Sequence, residues 1–145
     1  MFVVTDTDKG IMGVYFSSIN RNSAYIEVNI HDINAIEDAI YFIEINGLEN
    51  VDKVYNYGSD HYDTIRCMFP DAQIENVHNL IQKLQPAAYC KWARKHGRTT
   101  KRGDVSYKLE YVCQWIKRNV NYKQAHNPYM DIQDTLLVMR FIGLC

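Results

Sequence analysis

Long apolar runs are missing from this chain. No stretch approaches the roughly 18 consecutive apolar residues of a membrane helix, so no membrane span is expected. A basic leader segment is missing too. The opening MFVVTDTDKG places two acids within its first eight residues and is not expected to act as a secretory signal. There is no CxxC pair: Cys67, Cys90, Cys113 and Cys145 are widely and irregularly spaced. That spacing excludes the common zinc motifs and favours reduced thiols in an intracellular compartment. Nor is there an excess of one charge. With a formal net charge of -1, no global field draws the chain to nucleic acid or membrane, so any site for a polyanion must be a local patch. Internal repeats and low-complexity segments are absent as well.

What is present fits one globular domain. The 145 residues are enough to bury a core, and 47% are apolar while 23% are charged. The first third reads as strands: FVVTD (Phe2 to Asp6), GVYFSS (Gly13 to Ser18) and AYIEVNI (Ala24 to Ile30), in a meander with the polar turn INRNS between the last two. Asp32 is placed to cap a helix over DINAIEDAIYFIEING, whose Ile33, Ile36, Ile40 and Ile43 recur at helical spacing before Gly47. VDKVYNYG (Val51 to Gly58) predicts a fourth strand and AQIENV a fifth. The remainder predicts helices: one after Pro86, one over SYKLEYVCQWIKRN with Asp104 or Ser106 as N-cap, and a last one from near Pro128 to Leu144. This order indicates the α/β class, a mixed sheet covered by helices.

Acids stand where such a fold can gather them. Asp6 and Asp8 fall at the end of strand one, two residues apart and therefore on one side of an extended chain. Asp60 follows strand four by a short turn, at the expected start of a helix, and Asp131 opens the last helix. Each alone has an ordinary explanation, as a turn residue or a helix cap. Together, four carboxylates at one sheet edge would repel one another unless their pKa values rise or divalent cations occupy the site. Hard oxygen ligands suit magnesium or manganese, and a pair of such ions about 4 Å apart cleaves phosphodiesters. His126, five residues before Asp131, then suits the general base that takes a proton from water.

These motifs resemble those of the DEDDh 3′–5′ exonucleases, the DnaQ-like branch of the ribonuclease H-like fold. FVVTDTDKG is similar to the family's first motif, Asp-x-Glu after strand one, with Asp8 standing where the glutamate is usual. Asn56 followed by Asp60 resembles the second motif; Ser59 replaces its usual aromatic, and Asp63, preceded by Tyr62, is a rival for the same role. AHNPYMDIQDT, with Ala125, His126, Asp131 and Thr135, resembles the third, His-x-x-x-x-Asp. IENVHNLIQKL and SYKLEYVCQWI resemble the segments between, so the likeness runs from Phe2 to Leu144. It implies a mixed five-stranded sheet, the first three strands antiparallel, flanked by helices. It also implies two Mg2+ or Mn2+ ions on Asp6, Asp8, Asp60 and Asp131, with His126 as base. The reaction implied is hydrolysis at the 3′ end of single-stranded DNA or RNA, or of short oligonucleotides.

The densest basic run, Lys91 to Arg102, is placed to hold a phosphate backbone, above all through Arg94 and Arg98, with Trp92 or Tyr89 to stack on a base. Thr7 and Lys9 lie beside the motif-one acids, where a terminal nucleotide would approach. Two alternatives stay open: a catalytically weakened module of this fold that binds nucleic acid or protein, and another ribonuclease H-like nuclease of transposase or resolvase type. A homodimer also stays open.

Overall fold

The computed structural model describes residues 1–17, 23–58 and 61–145. Asp60 and Ser59 of the expected second motif lie outside the described residues, as does most of the INRNS turn. The chain forms an α/β fold in the order β1 (Phe2–Asp8), β2 (Ile11–Phe16), β3 (Ala24–Asn29), α1 (Ile33–Ile45), β4 (Lys53–Asn56), α2 (Tyr62–Met68), β5 (Gln73–Asn76) and then α3 (Val77–Leu84), α4 (Ala87–Lys95), α5 (Leu109–Lys117) and α6 (Pro128–Phe141). The sheet has the order β3-β2-β1-β4-β5. β1, β2 and β3 are antiparallel neighbours, while β4 pairs parallel to β1 and β5 parallel to β4, the mixed ribonuclease H-like arrangement expected.

β1 runs two residues further than its apolar pattern suggested. Asp6, Thr7 and Asp8 pair with Gly13, Met12 and Ile11, so the motif-one acids sit inside a hairpin ladder. Lys9 and Gly10 make the two-residue turn, both at positive φ (50° and 80°), the backbone hand that matches the twist of the flanking strands. The φ of Gly10 and the approach of the His31 ring, 2.9 Å from where a Cβ would stand, make that position one for glycine.

Side-chain alternation divides the core in two. Val3, Met12, Val14, Phe16, Val28 and Val54 face α1 and α2, while Val4 and Tyr55 face α3 to α6. α1 forms where expected, with the Asp32 carboxylate accepting from Asn34 N–H at 3.0 Å. α5 starts later than its expected caps: Lys108 is its N-cap, and Ser106 is buried beneath it, its carbonyl accepting from the Tyr89 hydroxyl. Met12 is fully buried core.

The sheet also divides the charge. Residues 83–145, which supply α4, α5 and α6, carry twelve lysines and arginines against four acids, whereas the first 82 carry four against thirteen. The near-zero net charge therefore conceals a basic helical layer on one face. Among the described residues no helix is long and apolar enough to cross a membrane, and all four cysteines are free thiols.

Candidate active site

In a sheet of this kind, crevices open at the carboxyl ends of parallel strands, where the chain leaves for the flanking helices. Here that end of β1 and β4 holds a cleft of about 460 Å³. Asp6 from β1 and Tyr57, just past β4, line it from the sheet. His78 enters from α3, Lys108 and Glu110 from the start of α5, and Gln124 and His126 from the loop before α6.

Local chemistry fixes each wall. The Asn76 carboxamide oxygen accepts from Gly58 N–H (2.9 Å) and His78 N–H (3.0 Å), clipping the exit of β4 to the entry of α3. The Tyr57 hydroxyl donates to the Tyr107 carbonyl, and its ring meets His78 edge-on at 5.6 Å. The Gln124 backbone N–H donates to Glu110 Oε1 at 2.8 Å, which ties the loop before α6 to the first turn of α5.

α6 is seated directly beside Asp6. Asn127 caps the helix by accepting from Met130 N–H at 2.8 Å, and Pro128 occupies its first turn. Gly13, the partner of Asp6 across the β1–β2 ladder, is the seat: a Cβ there would stand 2.7 Å from Pro128 Cβ and 2.7 Å from the Tyr25 hydroxyl. The Asp6 charge reaches Tyr25, whose phenol is held well above its usual range, first by burial and then by Glu27 and Asp6.

Asp131 closes the first turn of α6 and is 3% exposed. Its Oδ1 is buried with no hydrogen-bond partner among the described residues. Burial lifts its pKa above the ordinary carboxylate value. The Gln124 side chain and the charge and backbone of His126 oppose that lift, and Asp134 adds to it. The positive end of the helix dipole also favours the anion here. His126 is exposed and has φ 56°, a left-handed backbone that costs a non-glycine residue on the order of 1 kcal/mol and turns the chain into α6. Asp6 and His126 thus line one cleft at this end of the sheet, and Asp131 lies beside His126 without lining it.

The remaining candidates are placed as follows. Asp8 follows Asp6 on the same face of β1 but does not line the cleft, and Thr7 alternates to the opposite face. Lys9 is exposed in the hairpin turn. Asp63 is exposed in the first turn of α2, away from the cleft lining. Arg94 is exposed in the last turn of α4. Arg98 is a fastener: its Nε donates to Gln114 Oε1 at 3.0 Å and its guanidinium lies 5.1 Å from the centre of the Tyr111 ring. Thr135 turns back on its own helix, its hydroxyl donating to the Asp131 carbonyl at 3.0 Å. Tyr89 is fully buried, which removes it as a stacking platform.

Glu110, Lys108, His78, Tyr57 and Gln124 escaped the sequence reading. Only Glu110 left a signal, as the acid beside Leu109 in SYKLEYVCQWI. A second polar group missed ties α5 to α6: Asp134 accepts from Lys117 Nζ at 3.1 Å and from the Tyr122 hydroxyl, while Lys117 lies 3.5 Å over the Tyr122 ring. Gln114 Nε2 donates to the Tyr122 carbonyl at 2.9 Å, so Tyr122 is held at both its backbone and its side chain. Cys113, its thiol pushed up to about 12 by burial, stays protonated and is no nucleophile.

The chemistry of the donors fits a hard divalent cation: carboxylate oxygens, one of them buried and unbonded. Among the described residues, however, no group of three or more His, Cys, Asp or Glu side chains is gathered closely enough to hold a metal ion. The carboxylates of Asp6 and Glu110 and the imidazoles of His78 and His126 line a partly enclosed cleft at the edge of a basic layer, groups able to transfer protons beside an anionic substrate. Against models of protein families, curated proteins and solved structures, the chain finds no match.

Proposed function

We propose that this chain is a metal-dependent 3′–5′ exonuclease acting on the 3′ end of single-stranded nucleic acid. The observation that carries the reading is that Asp6, from the first strand, and His126, from near the end of the chain, line one cleft, with Asp131 electrostatically coupled to His126 from the first turn of α6. Asp6, Asp8, Asp60 and Asp131 would hold two Mg2+ or Mn2+ ions, which when bound supply water activation and charge neutralisation. His126, exposed at the mouth and electrostatically coupled to Asp131, takes the proton of the attacking water. Lys108 faces the same cleft and offers a cation to a phosphate there.

The test is a digest of end-labelled DNA and RNA oligomers with Mn2+, with and without EDTA. Shortening from the 3′ end that EDTA stops is expected, and Asp131→Asn should abolish it without unfolding the protein. Oligomers left intact with Mn2+ would refute the reading. One observation favours a second reading, a nucleic-acid-binding module of the same fold: the described residues bring no three metal-ligating side chains together. Binding without digestion would select it.

A further inference from the structure

A second cleft, of about 440 Å³, lies at the far end of α5 and α6. Trp92 from α4 and Trp115 and Ile116 from α5 line it, with Arg118, Val120 and Phe141. The Trp92 ring lies 4.8 Å from the His96 ring, and Trp115 meets Phe141 edge-on at 4.9 Å. Phe141 and Val120 remain 45% and 43% exposed, so this aromatic wall is left open to water. The segments that build it have one sign of charge: residues 85–103, 111–130 and 135–145 contain ten lysines and arginines and no aspartate or glutamate. Apart from Arg98, which is half-buried, these cations are exposed. One of them, Lys117, is neutralised by Asp134 at 3.1 Å. Open aromatic faces among cations, with no carboxylate in the lining, are the chemistry that holds unpaired bases on a phosphate chain.

α6 joins this groove to the first cleft. His126 of the first cleft stands just before α6 and Phe141 of the groove ends it, and the 14 residues of the helix span about 20 Å, or about six stacked nucleotides at a rise of about 3.4 Å each. We propose that the groove of Trp92, Trp115, Arg118 and Phe141 holds a base of a single strand whose 3′ end lies in the Asp6–His126 cleft. The nuclease reading supplies only the polarity of that strand; binding in the groove stands apart from cleavage.

The chain carries its own reporter, because its two tryptophans both line the groove. The Asp131→Asn variant, which is expected not to digest, is titrated with single-stranded oligomers of two and of eight nucleotides. The eight-nucleotide strand should quench tryptophan emission to saturation, while the dinucleotide, too short to leave the cleft, should not. Anisotropy of the labelled eight-nucleotide strand should show about tenfold weaker binding for Phe141→Ala, the size of a lost base stack. Arg118→Gly should also weaken binding and reduce its salt dependence, while suiting the left-handed backbone at φ 54°. Far-UV circular dichroism checks that both variants fold. Tight binding with unchanged emission and unaffected variants would overturn the groove while leaving the nuclease reading intact. Emission that changes with protein concentration alone, with light scattering showing a dimer, would assign this face to a second copy and overturn the proposal as well. Groove binding by a protein that never digests would instead retain the groove and remove the nuclease.

Discussion

Replacing Asp134 by alanine removes an acceptor that two neighbours share. The carboxylate is 4% exposed and accepts from Lys117 Nζ at 3.1 Å and from the Tyr122 hydroxyl. A hydrogen bond to a charged partner contributes about 1.5–3 kcal/mol. Lys117 is 34% exposed and can turn to water, so its share belongs at the bottom of that range. The Tyr122 hydroxyl is left without its acceptor in a half-buried site, and the total loss comes to about 3 kcal/mol, near the lower bound for breaking a buried charged pair. At this chain length the melting temperature should fall by about 9 °C. Urea unfolding should show a lower midpoint at an unchanged slope. The pH dependence follows from the partners. Burial pulls the Lys117 pKa down, but Tyr122 and Asp134 outweigh it and leave it above the ordinary 10.5; Tyr122 is raised, first by burial and then by Asp134. Both shifts favour the protonated forms in the folded state. Their stabilisation is present in full below the unfolded values and is lost as pH rises through the folded ones. The gap between wild type and Asp134→Ala should therefore hold steady from pH 7 to about 10 and shrink above that. A loss below about 1 kcal/mol at pH 7, or a gap that widens in alkali, would refute the network as drawn.

Asp131→Asn removes a buried, partly unsatisfied charge, so at neutral pH its melting temperature should match or exceed that of wild type. Saturating Mn2+ at about 100 times its dissociation constant should raise the wild type by about 2.7 kcal/mol and the variant far less, read by thermal shift. An equal rise in both proteins would remove Asp131 as a ligand. Gly13→Ala drives a methyl into Pro128 and Tyr25 and should cost about 1–3 kcal/mol, with activity lost beyond that as α6 moves from Asp6; an unchanged melt would show the seat to be loose. His126→Ala should lower kcat about 100- to 10,000-fold with little effect on stability, since the side chain is exposed; a kcat within a few-fold of wild type would dismiss it as the base.

The sheet was legible because its strands alternate or run apolar and its breaks carry Asn, Gly and Asp. The helix from Ile33 was legible because Asp32 and Gly47 bracket a clean period. Boundaries were less so. β1 continues through Asp6–Asp8 because the hairpin partners Gly13, Met12 and Ile11 offer it a ladder, a tertiary reason that no local pattern announces. Ser106 looks like a cap in sequence but is spent beneath α5, with Lys108 taking the cap position. In the cleft, Asp6 and His126 could be singled out because short spacings mark them, to Asp8 and to Asp131. Tyr57, His78 and Lys108 could not, since each is an ordinary residue until β4, α3 and α5 meet. Lys117, Asp134 and Tyr122 were invisible for the same reason: their link spans 17 residues in one arm and 12 in the other.

The division of charge by the sheet has a consequence of its own. A molecule with a positive half and a negative half carries a large permanent dipole although its isoelectric point is near 6.5. Approaching a polyanion, it is turned before contact, so most encounters present the α4–α6 side and few are wasted on the other. The same asymmetry makes two copies attract front to back in dilute buffer. Aggregation should therefore be worst at low ionic strength and should clear when salt shortens the reach of both halves.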